Sequence, residues 1–560
     1  MKRTAYPPAN GSYLGELSVS GGAGALPSYV PASKQVLHDF PHHTRVDPAM
    51  GRRGAVVNNR TLYIVLAILV FGIMLTLLNV YELRHMQFQH FRINHGDGGP
   101  YEGNPEGGGA RNIYWVDAKN TNSGYLKHVF RVLESVGYRV GDMHSQWTLM
   151  WSHEYPFGRP EFNKLFENLK PHQRINKFPS SGSITNKNNL ATSALKNIPI
   201  AFKLPGDKNK FLDHAKEHPS KLWVQKSNGH RGIKIKSLKN LDLTKSSTFV
   251  QEYIANPYLI DGRKFDIGLY VTMTSVDPLR VYVYDGDFLI RFCPKDYHPF
   301  NAGDVDKYVV GDDYTPTWEI PSLKKYYDEM KYTFKETFRA HVKSKGEDFE
   351  KVMKEMYDTI RDVYVQKEKH FIEAMEHFKS KENFFEMVRF DFVLDDKLNV
   401  YLMEVNMSPN LSSNHFKPNA LLYEQVLLNL FSVVGLAKSI STHFDNSDSN
   451  EMDMSVSERD IQVLEDMCAS KQCYPKCTSQ ECAFCHKCLT SPHRYTIKKA
   501  FLEHVNKQSM KRLFPPAMTQ EEAKRWSPLK NKGYLKYNAA NKMMYQWFRG
   551  KCLQNIAWCQ

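Results

Sequence analysis

The sequence contains few of the motifs that would explain its positive charge. Its 560 residues carry a formal net charge of +14, yet they contain no zinc-finger, homeodomain or RNA-recognition signature. Positive charge without such a motif gives no support for a nucleic-acid-binding protein. It also suits other acidic partners, such as anionic lipid or the acidic tails of proteins. Nucleic acid is therefore not expected as a partner.

Cysteine is nearly absent before the C-terminal region. Cys293 stands alone, and the other eight cysteines lie between Cys468 and Cys559. Six of these form a tight cluster: Cys468, Cys473, Cys477, Cys482, Cys485 and Cys488. An even number permits disulfides, whereas the spacing of the last three, with His486 and His493 nearby, also permits zinc. The two alternatives require different compartments, because disulfides persist in oxidising ones.

The most informative stretch, residues 390–410 (FDFVLDDKLNVYLMEVNMSPN), predicts two short strands joined by a turn. Side chains alternate faces along a strand, so Glu404 and Asn406 lie on one face. A four-residue loop, 395–398, would put Asp391 on that face, diagonal to Glu404 at roughly 7–8 Å. Two carboxylates and an amide are oxygen ligands suited to Mg²⁺. A loop of odd length would turn Asp391 away, and an ordinary surface hairpin is the alternative.

Earlier segments carry cations where phosphate groups can bind. An apolar run ends at Lys226, and the glycine-rich loop after it (SNGHRG) can approach phosphates because glycine has no Cβ. Lysine neutralises a phosphate as a point charge, although an ordinary glycine turn is the alternative. The next strand, FVQEYI, can turn Gln251 and its backbone toward an adenine edge.

Two further strands carry charge within apolar sequence. The segment GRKFDIGLYV places Lys264 and Asp266 on one strand face, where a structural salt bridge is the alternative. The segment FLIRF holds Arg291, which is costly to bury unless it is paired.

From Ile113 onward, apolar segments alternate with amphipathic ones, which predicts an α+β fold. The 3.6-residue spacing of apolar residues predicts mostly helix over residues 322–378.

Together these segments resemble the tubulin tyrosine ligase-like family, which has an ATP-grasp fold. The resemblance covers residues 113–435, and its most specific parts match the family patterns R-K-F-D-x-R and D-x-x-x-D…E-V-N-x-S-P. It implies that Lys187 and Lys226 contact ATP phosphates, that Gln251 and Ile254 line the adenine pocket, and that Lys264 and Asp266 contact the nucleotide or the amino acid. It also implies that Arg291 acts near the bound substrate and that Asp391, Glu404 and Asn406 bind Mg²⁺.

One position departs from the family pattern. Gly268 stands where the family has arginine, two residues after Asp266. Loss of a guanidinium removes a bidentate donor for phosphate or carboxylate. The glycine either enlarges the site for a different acceptor or marks an inactive enzyme. A milder departure is Ser227, which follows Lys226 where proline is common.

The N-terminal region has a different composition. Residues 1–60 are rich in Gly, Pro and Ser without periodicity, which predicts a disordered tail. Residues 61–81 (TLYIVLAILVFGIMLTLLNVY) are uncharged and would span about 31 Å as a helix, which predicts one transmembrane helix rather than a buried soluble one. We expect a Gly-rich linker over residues 82–112, the ATP-grasp domain over 113–440, and a cysteine-rich basic C-terminal region over 441–560.

The flanking charges favour a single-pass type II membrane protein. Arg52, Arg53 and Arg60 precede the apolar run, and Arg84 and Arg92 follow it. This bias favours a cytosolic N-terminus, with the remaining chain lumenal or extracellular. The clustered cysteines agree with that topology. The sequons after the run, Asn406 and Asn410, disagree because they lie inside the candidate site, so the side of the membrane stays open.

The resemblance implies ATP-dependent amide bond formation. A protein carboxylate becomes an acyl phosphate, and the amine of a free amino acid then attacks it. The leading hypothesis is a tubulin polyglutamylase that joins free glutamate to glutamate side chains. From Leu489 onward there are 14 Lys and Arg against 3 Glu, a charge that suits acidic tubulin tails. The alternatives are a ligase acting on a secretory-pathway protein, a glycylase, and an inactive nucleotide-binding membrane scaffold.

Overall fold

The structure is a computed structural model. It describes residues 112–229, 233–437, 448–474, 476–477, 481–528 and 531–560, together with Met74. The predicted tail (1–60), the rest of the predicted membrane run (61–81) and all but the last residue of the predicted linker (82–112) lie outside the described residues. Within the part described, no helix is both long and apolar enough to cross a membrane.

The first sheet consists of four parallel strands in the order β2-β1-β3-β4. They are β1 (Ile113–Asp117), β2 (Arg139–Val140), β3 (Leu149–Ser152) and β4 (Arg174–Ile175). The helix Lys127–Ser135 makes the crossover from β1 to β2, a connection that parallel neighbours need. All four residues of β3 are buried, as expected for a parallel strand covered on both faces.

The second sheet is antiparallel, in the order β5-β8-β6-β7. Its strands are β5 (Ala201–Leu204), β6 (Trp223–Ser227), β7 (Lys234–Lys236) and β8 (Thr248–Glu252). The helix Lys208–Glu217 covers it, and the rings of Phe211 and Trp223 meet edge to face at 5.0 Å. The strands predicted around Lys226 and Gln251 are therefore confirmed as β6 and β8.

The central sheet has seven strands, and its longest strand pairs along both edges. The strands are β9 (Phe265–Val276), β10 (Leu279–Tyr284), β11 (Leu289–Phe292), β12 (Thr315–Pro316), β13 (Glu386–Leu394), β14 (Val400–Asn406) and β15 (Met510–Phe514). One edge of β9 pairs with β11 and then β10, and its other edge pairs with β13. Every residue of β13 is buried, so its charged side chains need partners inside the protein.

The segment predicted to be mostly helical, residues 322–378, forms helices that cover the central sheet. These helices are Pro321–Lys324, Phe334–Ser344 and Phe349–Met375, with a π-helical turn at Lys325–Glu329. The 27-residue helix begins where the Asp348 side chain accepts from the Lys351 amide, and it buries Met356 and Ile360. Gly346, with a φ of +75°, lies between the last two helices. Further helices are Asn163–Glu167, Gly182–Thr185, Lys187–Ala191 and Asn419–Val433.

The C-terminal region has its own small core and adds β15 to the central sheet. Its helices are Asp448–Ser455, Glu458–Ile461, Glu465–Cys468, Ser491–Asn506, Gln520–Lys524, Lys532–Leu535 and Ala539–Gln554. Ile497, Trp547 and Phe548 lie in its core. β15 pairs antiparallel with β10. The last strand of the central sheet thus comes from the far end of the chain.

All eight cysteines of this region form disulfides. The pairs are Cys468–Cys485, Cys473–Cys482, Cys477–Cys488 and Cys552–Cys559. Of the two alternatives that the spacing left open, the structure contains the disulfides. Cys293 is buried and unpaired. The fold as a whole is a mixed α/β domain of the ATP-grasp-like type with a disulfide-bonded C-terminal region.

Candidate active site

A β-bulge sets the geometry of the hairpin formed by β13 and β14. Its loop, residues 395–399, has an odd length, which alone would turn Asp391 away from Glu404. The register of the β13–β14 ladder shifts between Phe392 and Asp391, where Met403 is an extra residue of β14. Asp391 therefore pairs directly with Glu404. The expected loop length and the diagonal relation were wrong, but the two carboxylates do share a face.

A hydrogen-bond network joins the three predicted metal ligands. Nδ2 of Asn406 donates to Oδ2 of Asp391 at 2.8 Å and to Oε1 of Glu404 at 3.1 Å. Nζ of Lys187 lies 2.7 Å from Oε2 of Glu404. Burial alone would raise the pKa of Glu404, but Lys187 and Asn406 lower it to about 2. Glu404 is consequently an anion at neutral pH, and all three oxygen-bearing side chains converge.

Arg291 connects the hairpin to β9. It lies opposite Asp266 in the β9–β11 ladder, and its Nε and Nη2 donate to the two carboxylate oxygens at 2.9 and 2.8 Å. Nη2 also donates to Oδ2 of Asp391 at 3.2 Å. Burial raises the pKa of Asp266, and Arg291 opposes that shift. The arginine in an apolar strand is thus paired, as its burial requires.

A second arginine of this cluster, Arg389 on β13, was missed by the sequence reasoning. Its side chain is buried, and its Nε and Nη2 donate to Oδ1 and Oδ2 of Asp391 at 2.6 and 2.9 Å. The signal was present in the sequence. An arginine within the apolar run EMVRFDFVL needs a buried partner for the same reason that Arg291 does.

Lys226 and Gln251 adjoin this network from the second sheet. Nζ of Lys226 donates to Oε1 of Gln251 at 2.9 Å, across neighbouring strands β6 and β8. Desolvation lowers the pKa of Lys226 to about 8; Glu404 opposes the shift, and Lys187 and Lys264 add to it. These electrostatic interactions show that the phosphate-binding candidates lie close to the hairpin.

Lys264 lies close to the network without a described hydrogen bond to its carboxylates, and no described contact joins Ile254 to it. Nζ of Lys264 donates to the carbonyl of Tyr308 at 3.0 Å and lies 5.0 Å from the ring centre of Tyr253. Burial lowers its pKa. Ile254 follows β8 and is half-buried. Residues 230–232 of the glycine-rich loop lie outside the described residues.

The site has more positive than negative groups. The cations are Lys187, Lys226, Lys264, Arg291 and Arg389, and the carboxylates are Asp266, Asp391 and Glu404. A cavity of about 950 Å³ opens beside Lys187 and Asn406 and is also lined by Lys367 and His370. The arrangement suits a ligand with several negative charges, such as a nucleotide and a carboxylate.

The oxygen donors of the hairpin fit a magnesium ion. Mg²⁺ binds through one or two carboxylates together with substrate phosphates. Asp391 and Glu404 supply the carboxylates, and Asn406 lies between them. Among the described contacts, Oδ1 of Asp391 accepts one hydrogen bond, from Arg389, so it keeps a lone pair that could face an ion.

Sequence comparisons identify the proteins that this chain resembles. The sequence profile of the tubulin-tyrosine ligase family matches residues 165–442. The chain is 42% identical over 450 residues to the probable tubulin polyglutamylase ttll-15 of Caenorhabditis elegans. This match covers 79% of this chain and 85% of that relative. It is 28% identical over 287 residues to the tubulin polyglutamylase ttll-4 of Caenorhabditis briggsae and 29% identical over 329 residues to the tubulin polyglutamylase TTLL6 of Mus musculus. These two matches cover 46% and 54% of this chain, but only 45% and 39% of those relatives.

Proposed function

The chain belongs to the tubulin-tyrosine ligase family, and we propose that it is an ATP- and Mg²⁺-dependent ligase that adds glutamate to glutamate side chains of an acidic protein. The observation that carries this proposal is the network that joins Asp391, Glu404 and Asn406 to Lys187 and Arg291. The relatives are named tubulin polyglutamylases, so tubulin tails are the first candidate substrate.

The cations of the site offset repulsion between two anionic substrates. Both the phosphates of ATP and the acceptor carboxylate are negative, and they must come together for the reaction. Lys187 and Lys226 are assigned to the phosphates and Arg291 to the transferring group and acceptor, where preorganised charge stabilises the transition state. Asp391, Glu404 and Asn406 would hold Mg²⁺, which would supply positive charge against the phosphates.

The proposed reaction has two displacement steps. An oxygen of the acceptor carboxylate attacks the γ-phosphorus of ATP, ADP leaves, and an acyl phosphate forms. The amine of free glutamate then attacks the acyl carbon, loses a proton, and expels inorganic phosphate as the amide bond forms. Lys264 and Asp266 are assigned to the nucleotide or to the incoming amino acid. The basic region after Leu489 supports an acidic acceptor.

The four disulfides favour a second candidate substrate class. Disulfides persist in oxidising compartments, and a type II membrane protein anchored by residues 61–81 would have its ligase domain in such a compartment. On this candidate the acceptor is an acidic protein of the secretory pathway. Protease treatment of intact microsomes, with a tag at the C-terminus, distinguishes the two. A protected tag excludes direct action on cytosolic tubulin, and a digested tag excludes the secretory acceptor.

Incorporation of labelled glutamate tests the activity itself. The full chain, isolated with its disulfides intact, should transfer glutamate to a glutamate-rich acceptor only when ATP and Mg²⁺ are present. Glu404→Gln should abolish transfer while leaving the protein folded. A parallel reaction with labelled glycine tests glycylation. If the wild-type chain transfers neither amino acid to tubulin or to glutamate-rich secretory proteins, the proposed ligase activity is wrong and the scaffold alternative stands.

A further inference from the structure

The space above Gly268 is filled by an arginine from the neighbouring strand. A Cβ built on Gly268 would lie 2.7 Å from Cδ and 3.1 Å from Nε of Arg389, and 3.1 Å from Oδ1 of Asp391. In the β9–β13 ladder, Gly268 pairs with Asp391. Arg389 lies two residues from Asp391 and so shares its face. The Arg389 side chain therefore crosses the face of β9 at the glycine.

We propose that Arg389 is a positioning residue that supplies, from β13, the guanidinium that a side chain at position 268 would otherwise bring to this site. This inference rests on the proposed ligase function. The glycine and the arginine form one device, because the glycine leaves the volume that the arginine occupies. Gly268 then indicates an active site whose guanidinium comes from β13, and it does not indicate an inactive enzyme.

The contacts of Arg389 define what it positions. Oδ1 of Asp391 accepts from Nε of Arg389, whereas Oδ2 accepts from Arg389, Arg291 and Asn406. Arg389 thus fixes the orientation of both oxygens of a carboxylate that is 2% exposed. Its charge also offsets that of Asp266, whose attraction contributes to the raised pKa of Arg389. Without Arg389, Oδ1 of Asp391 would have no donor among the described contacts, and only Oδ2 would keep donors, from Arg291 and Asn406.

Steric exclusion makes the inference testable with a pair of exchanged residues. Arg389→Gly removes the guanidinium and opens the volume above β9. Gly268→Arg places a second side chain in a volume that is already full, so it must displace Arg389. The double variant Gly268→Arg/Arg389→Gly moves the guanidinium from β13 to β9 and removes the conflict. Contacting residues of this kind are non-additive, and the double-mutant cycle measures their coupling.

The experiment measures ATP-dependent transfer of labelled glutamate and thermal unfolding for the wild type, both single variants and the double variant. Each single variant should lose roughly 100-fold in kcat/KM, the size of effect seen when a preorganised donor is removed. The double variant should regain activity to within about tenfold of wild type. If it unfolds cooperatively and is no more active than the weaker single variant, the inference is overturned. An inactive wild type would instead overturn the proposed function.

A conservative variant keeps the inference testable even if the exchanged pair does not fold. Arg389→Lys retains the charge but cannot make two parallel hydrogen bonds to Asp391. It should raise the Mg²⁺ concentration for half-maximal activity about fivefold or more, with a smaller change in kcat, because the carboxylate is less well oriented. A purely structural arginine would leave the Mg²⁺ requirement unchanged, and that result overturns the inference.

Discussion

Asp391 lies directly opposite Glu404 because Met403 adds one residue to β14 between the two regular parts of the hairpin. The bulge cancels the odd length of the hairpin loop, so both carboxylates reach the same face. Bulges often redirect a side chain near an active site. Here the bulge assembles a pair of carboxylates within one hydrogen-bond network that also contains Asn406.

Asp391→Asn should cost both activity and stability. Its carboxylate bonds to two arginines, which would then face a neutral amide in a buried site. We expect transfer activity to fall roughly 100-fold and the free energy of unfolding to fall by about 3 kcal/mol, since an unpaired buried charge is left behind. Denaturant unfolding and labelled-glutamate transfer provide the two measurements. Asp396→Asn, an exposed carboxylate in the same hairpin loop, is the matched control and should change neither quantity.

The apparent affinity for ATP should fall as the pH rises through about 8. Desolvation and two nearby lysines hold the pKa of Lys226 at about 8, below the usual value for lysine. The lysine is charged below that pH and loses its attraction for phosphate above it. We expect kcat/KM for ATP to decline about tenfold for each pH unit above 8. Lys226→Arg keeps its charge and should remove the decline; if the decline persists, another group is responsible.

Glu503 should be essential for stability because it pairs with a buried arginine. Its two oxygens accept from Nε and Nη2 of the buried Arg280 at 2.8 and 3.0 Å, which joins helix Ser491–Asn506 to β10. Glu503→Ala leaves that arginine without its anion and should lower the free energy of unfolding by about 3–5 kcal/mol. The exposed pair Lys216–Asp213 supplies the control: Asp213→Ala should cost about 0.5 kcal/mol or less.

Peptide mapping without reductant should recover the four disulfides, and these cysteines should bind no zinc. The bridges close short loops, with sequence separations of 7 to 17 residues. Removing Cys552–Cys559 with a double serine variant should lower the free energy of unfolding by about 2–3 kcal/mol. Cys293→Ser is the control, since this thiol is unpaired and should leave the mapping unchanged. Zinc bound by these cysteines would contradict the pairing.

Local patterns were enough to predict the strands that carry charge. Alternation and apolar runs identified β6, β8, β9, β11 and the hairpin, and the cost of burying Arg291 predicted that it must be paired. The loop of the hairpin was harder, because its register depends on a bulge at Met403. On its other edge, β13 pairs with β9, a strand more than one hundred residues earlier in the chain. Such long-range pairing leaves no mark in the hairpin sequence itself.

Two other features depend on contacts between distant parts of the chain. Cysteine spacing permits many pairings, so the disulfide partners could not be deduced from it. The segment MKRLF lies in a basic region and was not identified as a strand, yet it forms β15. Arg512 within it is almost fully buried, and its guanidinium donates to backbone carbonyls at Pro516 and Trp558. These carbonyls come together only in the folded chain.

The position of β15 has a consequence for how the chain is made. A nascent chain that has produced β9 and β10 still lacks the strand that covers the outer edge of β10. Unpaired strand edges are prone to join other chains. During translation, that edge stays open until Met510–Phe514 has left the ribosome. The ligase sheet is therefore completed only after β11 to β14 have been synthesised, and a chain terminated before Met510 would be released with an unpaired strand edge.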